Sequence, residues 1–461
     1  MPKPLNIDYA LATAATIGGE HAPTDDALRA AADAFARARS ETMRRVGDGE
    51  LGFWGLPGDT ETIAGIEAWA KTVPAALSDV VVLGIGGSSL GARAVLHALG
   101  GPPDLAPSSR RRLHLPDNSD PWLLASLLDE LDPKRALVVV ISKSGGTVET
   151  IAQMLVVRRW LEESLGDEAA KHLVIITDPA RGPLREMASA EGIQAFEVPP
   201  NVGGRFSVLS AVGLVPTCLL GFDARGMLQG AAEMAEACSA EALTDNPAGI
   251  LAVLHYLHHR EHGRPIHVLM PYADALRPFA AWYVQLWAES LGKRVDRAGE
   301  EVESGPTPLP AVGATDQHAQ MQLFMEGPRD KLVTFIDVKS PGADLQIPQA
   351  EGPFAYLSGT ALSQVLAAEL RGTALALAED HRPSLTIVVE RLDARALGAL
   401  FFLYESATAF AGELYGIDAF DQPGVELGKR LASGLLGRPG FEDARDQVAA
   451  LEGRMPKTYT V

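Results

Sequence analysis

Two cysteines, Cys218 and Cys238, serve 461 residues, so no disulfide framework carries this fold. Buried thiols in a reducing compartment are the expectation. Positive charge is also short: 40 Lys and Arg stand against 59 Asp and Glu, a formal balance of −19. A surface of that sign repels polyanions, which excludes general binding to nucleic acid or to an acidic membrane. Any anionic ligand must then be held by a local positive site. Long apolar runs are missing as well. The longest uncharged stretch, Phe206 to Phe222, is interrupted by Ser207, Ser210, Pro216 and Thr217 and reads as a buried element, not a membrane span. The alanine-rich stretch from Tyr9 to Gly19 has too weak an apolar core for a signal peptide, so a cytoplasmic protein is expected.

What is present is a globular composition, 47% hydrophobic, in a chain long enough for two or three domains. Six short apolar runs rich in β-branched residues recur between helical segments. They are Val80–Ile85, Ala136–Ile141, Leu173–Ile176, Ile266–Met270, Leu332–Ile336 and Leu385–Val389. Continuous apolar runs mark strands covered on both faces, and strand–loop–helix repetition marks parallel sheets of an α/β fold. Three runs precede residue 200 and three follow 265, with a helical stretch from Met227 to Arg260 between. Two α/β units sharing an interface, after a helical N-terminal segment, are expected. Ligands of such sheets sit beyond the carboxyl ends of the strands.

The first run leads into Gly84-Ile85-Gly86-Gly87-Ser88-Ser89-Leu90-Gly91. Ser89 occupies the place where a dinucleotide fingerprint needs its last glycine, so a Rossmann reading is weak. Glycines and hydroxyls at a strand-to-helix turn still present N–H groups that suit a phosphate. The second run ends in Ser142-Lys143-Ser144-Gly145-Gly146-Thr147, three hydroxyls and an ammonium at a helix start. The order is not that of a Walker A loop, yet it supplies O–H and N–H donors and one cation. Each loop alone could be a tight turn or a helix cap. Two on successive strands favour a small phosphorylated metabolite. Gly203-Gly204-Arg205 sets one arginine in flexible backbone. Gln285 and Glu289 lie one turn apart near the end of an aromatic-rich helix, and Phe420-Asp421-Gln422 opens a segment running to Lys429. His255, His258, His259 and His262 share one helical face with metal-ligand spacing, but the helix stops at Gly263 and Pro265, and dipole-favoured histidines without a metal are the expectation. Arg110-Arg111-Arg112 is expected to be a solvated turn.

In this order the segments resemble the glucose-6-phosphate isomerase family, which is built from two sugar isomerase (SIS) domains. The Gly204-Arg205 and Phe420–Lys429 segments match its two diagnostic motifs, and Gly86-Gly87-Ser88, Ser142–Thr147, Glu289-Ser290-x-Gly-Lys293 and Asp316-Gln317-His318 fall between and before them in the family's order. The resemblance spans about residues 50–435. It implies two SIS-type domains, each a parallel sheet flanked by helices, with helical terminal segments: an N-terminal segment 1–72 packing on the second domain, a first domain 73–235 and a second 236–461. It also implies interconversion of glucose 6-phosphate and fructose 6-phosphate without metal or redox cofactor. Glu289 would be the base that shuttles a proton between C2 and C1, Arg205 the cation that steadies the enediol oxygens, and His318 with Lys429 the ring-opening pair. Gly87, Ser88, Ser142, Lys143, Ser144, Thr147 and Gly204 would hold the phosphate, and Gln285 and Gln422 the sugar hydroxyls. Gly146 departs from the common Thr, removing one hydroxyl. The partners implied are a hexose 6-phosphate and a second copy of the chain, with His318 reaching across a two-fold interface. A SIS-type sugar-phosphate regulator without turnover is the alternative, and acceptance of mannose 6-phosphate stays open.

Overall fold

The computed structural model describes residues 5–101 and 111–455. Two five-stranded sheets organise the chain. The first has the order β3-β2-β4-β5-β6, made of Arg112–His114, Asp79–Leu83, Ala136–Ile141, Leu173–Thr177 and Gln194–Glu197, all parallel. Every residue of β2, β4 and β5 is buried, as the unbroken Val/Ile/Leu runs require. The chain leaves β2 for β3 on one side and returns to β4 on the other. The connections therefore diverge between the carboxyl ends of β2 and β4, the switch point where such sheets bind ligands.

The second sheet has the order β1-β12-β11-β7-β10, from Leu5–Asp8, Ser384–Arg391, Lys331–Ser340, Ile266–Pro271 and Thr307–Pro310. Four strands are parallel, but β1 pairs antiparallel with β12, Leu5 opposite Val389. The N-terminal segment is thus not purely helical: it first supplies an edge strand, too short for its alternation to register in the sequence. A hairpin of β8, Lys293–Val295, and β9, Glu301–Ser304, completes the strands.

One apolar core joins the sheets, drawing Val80 and Val82 of β2 together with Leu332 and Ile336 of β11. Its axis is the Ala394–Tyr415 helix, buried from Ala396 through Gly412, mostly apolar but with Glu405, Ser406 and Thr408 also buried. It closes against the helix Ala224–Cys238 at bare-backbone distance: a Cβ on Gly398 would overlap the Met227 carbonyl, and one on Gly230 the Arg395 carbonyl. The Phe206–Phe222 stretch contains the buried helix Ala211–Leu219, and among the described residues no helix is long and apolar enough to cross a membrane. Both cysteines are free thiols, and burial pushes each up to about 12. The basic triplet is only partly as expected. Arg110 lies outside the described residues, whereas Arg111 donates to the carbonyls of Leu77, Leu219 and Val73, and Arg112 pairs with the buried Asp79 at 2.7 Å.

Candidate active site

Three backbone features meet at the switch point. Gly86 turns the chain after β2 at φ +58°, a left-handed conformation that glycine adopts without strain. Its missing Cβ makes room for the Gln285 amide, and the missing Cβ of Gly87 makes room for the Gly204 carbonyl. The Gly86–Ser88 turn is therefore wedged between the Arg277–Leu291 helix and the Gly204–Phe206 turn. A side chain at Gly87 would push its turn off the Gly204 backbone, and one at Gly86 would displace the Gln285 amide.

Arg205 is the centre of the cluster, 4% exposed. Its Nε donates to Ser290 Oγ at 2.7 Å and one terminal nitrogen to Gln422 Oε1 at 3.0 Å. The other terminal nitrogen donates to the carbonyls of Ala419 at 2.6 Å and Asp421 at 3.0 Å. Glu289 Oε2 lies 3.8 Å from the guanidinium. Burial lowers the arginine's affinity for its proton, while Glu289, Asp421 and Asp418 oppose that shift; a guanidinium stays charged under such conditions. Gln285 Nε2 donates to the same Glu289 oxygen at 3.1 Å. The amide's Oε1 is buried with no protein partner among the described residues, an acceptor left over for a ligand hydroxyl.

The end of the helix that carries Glu289 is fixed from below. Lys293 donates to the carbonyls of Glu289 and Ser290, both at 2.8 Å, placing a cation on the negative end of that helix. Burial, with Arg205 nearby, pulls Lys293 below the usual lysine range, and Asp421 at 3.6 Å resists. Neither Lys293 nor Ser290 has a role in the sequence reading, although both stand inside the Glu289–Lys293 motif. Their presence there was the available signal.

In the second loop, Ser142 and Thr147 hydroxyls lie 2.9 Å apart, and Ser144 Oγ accepts from the Gly146 N–H at 3.3 Å. Lys143 differs from the expectation of a phosphate-facing cation. Its ammonium donates to the carbonyls of Pro200 at 2.7 Å and Val202 at 2.8 Å, and burial lowers its pKa. The lysine ties the hydroxyl loop to the segment leading into Arg205. Ser88 stays at the wedge turn, its N–H bonded to the Ile85 carbonyl.

Two expected partners stand apart within the single chain. His318 is exposed on the turn after β10, and among the described residues its ring has no hydrogen bond or ion pair. Lys429 is 62% exposed on the helix Glu426–Leu435 and pairs with Glu426 at 2.8 Å. The histidine-rich face is tied together by contacts between its rings and their neighbours. His255 and His267 share a 2.8 Å contact between Nδ1 atoms, Trp287 Nε1 donates to His267, and His259 meets the Tyr415 hydroxyl. Burial lowers all four of His255, His258, His259 and His262. Among the described residues, no group of three or more His, Cys, Asp or Glu is arranged to hold a metal ion.

The phosphoglucose isomerase family model matches residues 60–351 and 355–447. The chain belongs to the phosphoglucose isomerase family. A glucose-6-phosphate isomerase of Carboxydothermus hydrogenoformans is 43% identical over 431 residues, 90% of this chain and 91% of that one. A Thermus thermophilus glucose-6-phosphate isomerase is 42% identical over 398 residues, 86% and 92% of the two chains. Among solved structures, a hypothetical protein of Thermus thermophilus aligns with TM-score 0.85 and 40% identity, covering 94% of this chain and 99% of that one. A glucose-6-phosphate isomerase from Chlamydia trachomatis aligns with TM-score 0.75 and 30% identity, over 86% and 77%. The family's reaction type, aldose–ketose isomerisation, needs a base and a fixed cation. Glu289 and Arg205, 3.8 Å apart at a switch point, are groups of those two kinds.

Proposed function

We propose that the chain interconverts glucose 6-phosphate and fructose 6-phosphate through a cis-enediol. The observation that carries this reading is the buried Arg205 guanidinium, held by four hydrogen bonds beside the Glu289 carboxylate. In the open-chain aldose, Glu289 takes the C2 proton while O1 gains negative charge facing Arg205. Within the cis-enediol the hydroxyl proton of O2 passes to O1, the same carboxyl returns its proton to C1, and O2 becomes the ketose carbonyl. A positioned base contributes roughly 10²–10⁴-fold, and an oxyanion donor held in place contributes about 3 kcal/mol. Gln285 Oε1 and Gln422 orient sugar hydroxyls. Ser88, Ser142, Ser144, Thr147 and the backbone of Gly87 and Gly204 take the phosphate, and Lys143 holds that loop in register.

The ring-opening pair completes the site. His318 comes from the neighbouring subunit of a two-fold dimer, in keeping with its exposed ring, and Lys429 swings in from the exposed helix that follows Gln422. The first SIS domain is residues 73–235 and the second 236–461, with 1–72 packed on the second. A coupled assay tests the reaction: fructose 6-phosphate is supplied and glucose 6-phosphate is read by a NADP-linked dehydrogenase. Binding of hexose 6-phosphate without turnover would leave only the regulator. Reassociating Glu289→Gln chains with His318→Ala chains tests the shared site. Half the random dimers are hybrid, each with one intact site, so activity returns to about a quarter of wild type. No recovery, with hybrids present by mass, would place His318 in its own chain's site.

A further inference from the structure

Strands β7, β11 and β12 are neighbours in the second sheet, and an arginine stands two residues before each: Arg264, Arg329 and Arg382. The register pairs Ile266 with Lys331 and Val333 with Ser384, so Arg264 is level with Arg329, and Arg382 with Lys331. Adjacent strands are about 4.8 Å apart, which crowds four cations at the amino edge of one sheet.

Three of the four are accounted for. Arg382 donates to Asp380 Oδ2 at 2.6 Å and the Gly327 carbonyl at 2.9 Å, Arg329 to Asp380 Oδ1 at 2.7 Å, and Lys331 pairs with Asp330. Arg264 is different. It is 3% exposed, yet its guanidinium makes one hydrogen bond among the described residues, a 3.3 Å contact with His258 Nδ1. His258 Nε2 lies 3.0 Å from the Ala12 carbonyl and so carries the ring proton, leaving Nδ1 to accept. Among the described residues, the buried Arg264 Nε has no partner and no carboxylate pairs with the side chain. Burial first, then Arg329 and Arg382, push Arg264 down to about 10. A nearby helix C-terminus favours cations but supplies no acceptor to this nitrogen. A buried guanidinium without a counterion is costly, and the group that relieves it is an anion.

We propose that Arg264 is the ligand of a second anion site, with Arg329 and Arg382 adding positive potential beside it, taking a small oxyanion of two or more negative charges, a phosphate or a polycarboxylate. The ligand enters past Arg329, whose side chain is 43% exposed. Among the described residues, none of the three shares a hydrogen bond or ion pair with Arg205, Glu289 or the Ser142–Thr147 loop, so the site is separate from that for the hexose phosphate.

The test is calorimetric titration of the full chain with inorganic phosphate, and separately with citrate, at fixed ionic strength. Each titration is run alone and with fructose 6-phosphate and glucose 6-phosphate saturating. One oxyanion per chain should still bind when hexose phosphate is saturating. Arg264→Met should weaken that binding at least tenfold and abolish the rise in Tm that phosphate or citrate gives the wild type, while the coupled activity stays within twofold. The stronger of the two probes names the oxyanion class. If Arg264→Met does not fold, Arg329→Met, at an exposed position, must weaken binding at least tenfold. Binding of neither anion beyond the hexose-phosphate site, or affinity unchanged in the variants, overturns the proposal. Loss of isomerase turnover with this binding intact would count against the isomerase reading alone.

Discussion

Replacing Arg205 by lysine keeps the charge and removes the fork. The guanidinium serves Ser290 Oγ, Gln422 Oε1 and the carbonyls of Ala419 and Asp421 from three nitrogens in one plane. An ammonium offers three donors from one atom on a shorter reach, so it cannot meet Ser290 on one side and the 419–421 carbonyls on the other. At least two acceptors lose their partner, and each buried orphan costs about 1–3 kcal/mol. The native state should lose about 2–5 kcal/mol. With an unfolding entropy near 2 cal/mol/K per residue, that is a Tm drop of only a few degrees for 461 residues. Catalysis should suffer more. In the proposed role the cation would no longer sit where the enediol oxygens gain charge, and losing one donor held in place costs about 3 kcal/mol, or 10²–10³ in kcat. The assay is the coupled reaction on Arg205→Lys, with Tm read in parallel. A kcat within tenfold of wild type alongside the expected Tm drop would mean that charge alone suffices and would refute the argument from the fork.

Glu289→Gln keeps the contact with Gln285 but removes the proton acceptor, so kcat should fall about 10³-fold with KM little changed; turnover within tenfold of wild type would take the base role from Glu289. If Thr147 and Ser144 hold the phosphate as proposed, Thr147→Ala and Ser144→Ala each remove a donor to a dianion, about 1.5–3 kcal/mol, so KM for fructose 6-phosphate should rise tens of times with kcat near normal. An unchanged KM in both would move the phosphate elsewhere. Lys143→Met leaves the Pro200 and Val202 carbonyls unpaired, and should lower kcat and Tm together while inorganic phosphate still inhibits at a concentration within threefold of wild type. Loss of phosphate inhibition would return Lys143 to the phosphate itself.

The central parallel strands were legible because burial on both faces forces unbroken apolar runs, and Val80–Leu83, Ala136–Ile141 and Leu173–Ile176 are such runs. The edge strands were not. Leu5–Asp8 and Thr307–Pro310 have four residues each, too few to separate a period of two from chance, and what makes each a strand is its neighbour, β12 or β7. The Ala394–Tyr415 helix is buried all round because it lies at the centre of the core, Glu405, Ser406 and Thr408 included, so no exposed polar face reports its direction.

The site was legible as residue types and hidden as partners. Glycines 86 and 87 read as a ligand loop, but their first duty is to let the backbone approach Gln285 and Gly204. Both readings demand glycine, so no local pattern separates them. Lys143 makes the same point more sharply. Beside three hydroxyls a lysine reads as a phosphate cation, yet its ammonium goes to carbonyls 57 and 59 residues away in sequence. A carbonyl has no sequence signature, since every residue carries one. Side-chain pairs such as Arg205 with Glu289 can be anticipated from charge, whereas bonds to backbone appear only when the fold brings a particular peptide into reach. The cations at this site divide along that line. Arg205 keeps a carboxylate beside it, while Lys143 and Lys293 spend their charge on peptide carbonyls and hold the Ser142–Thr147 loop and the end of the Glu289 helix.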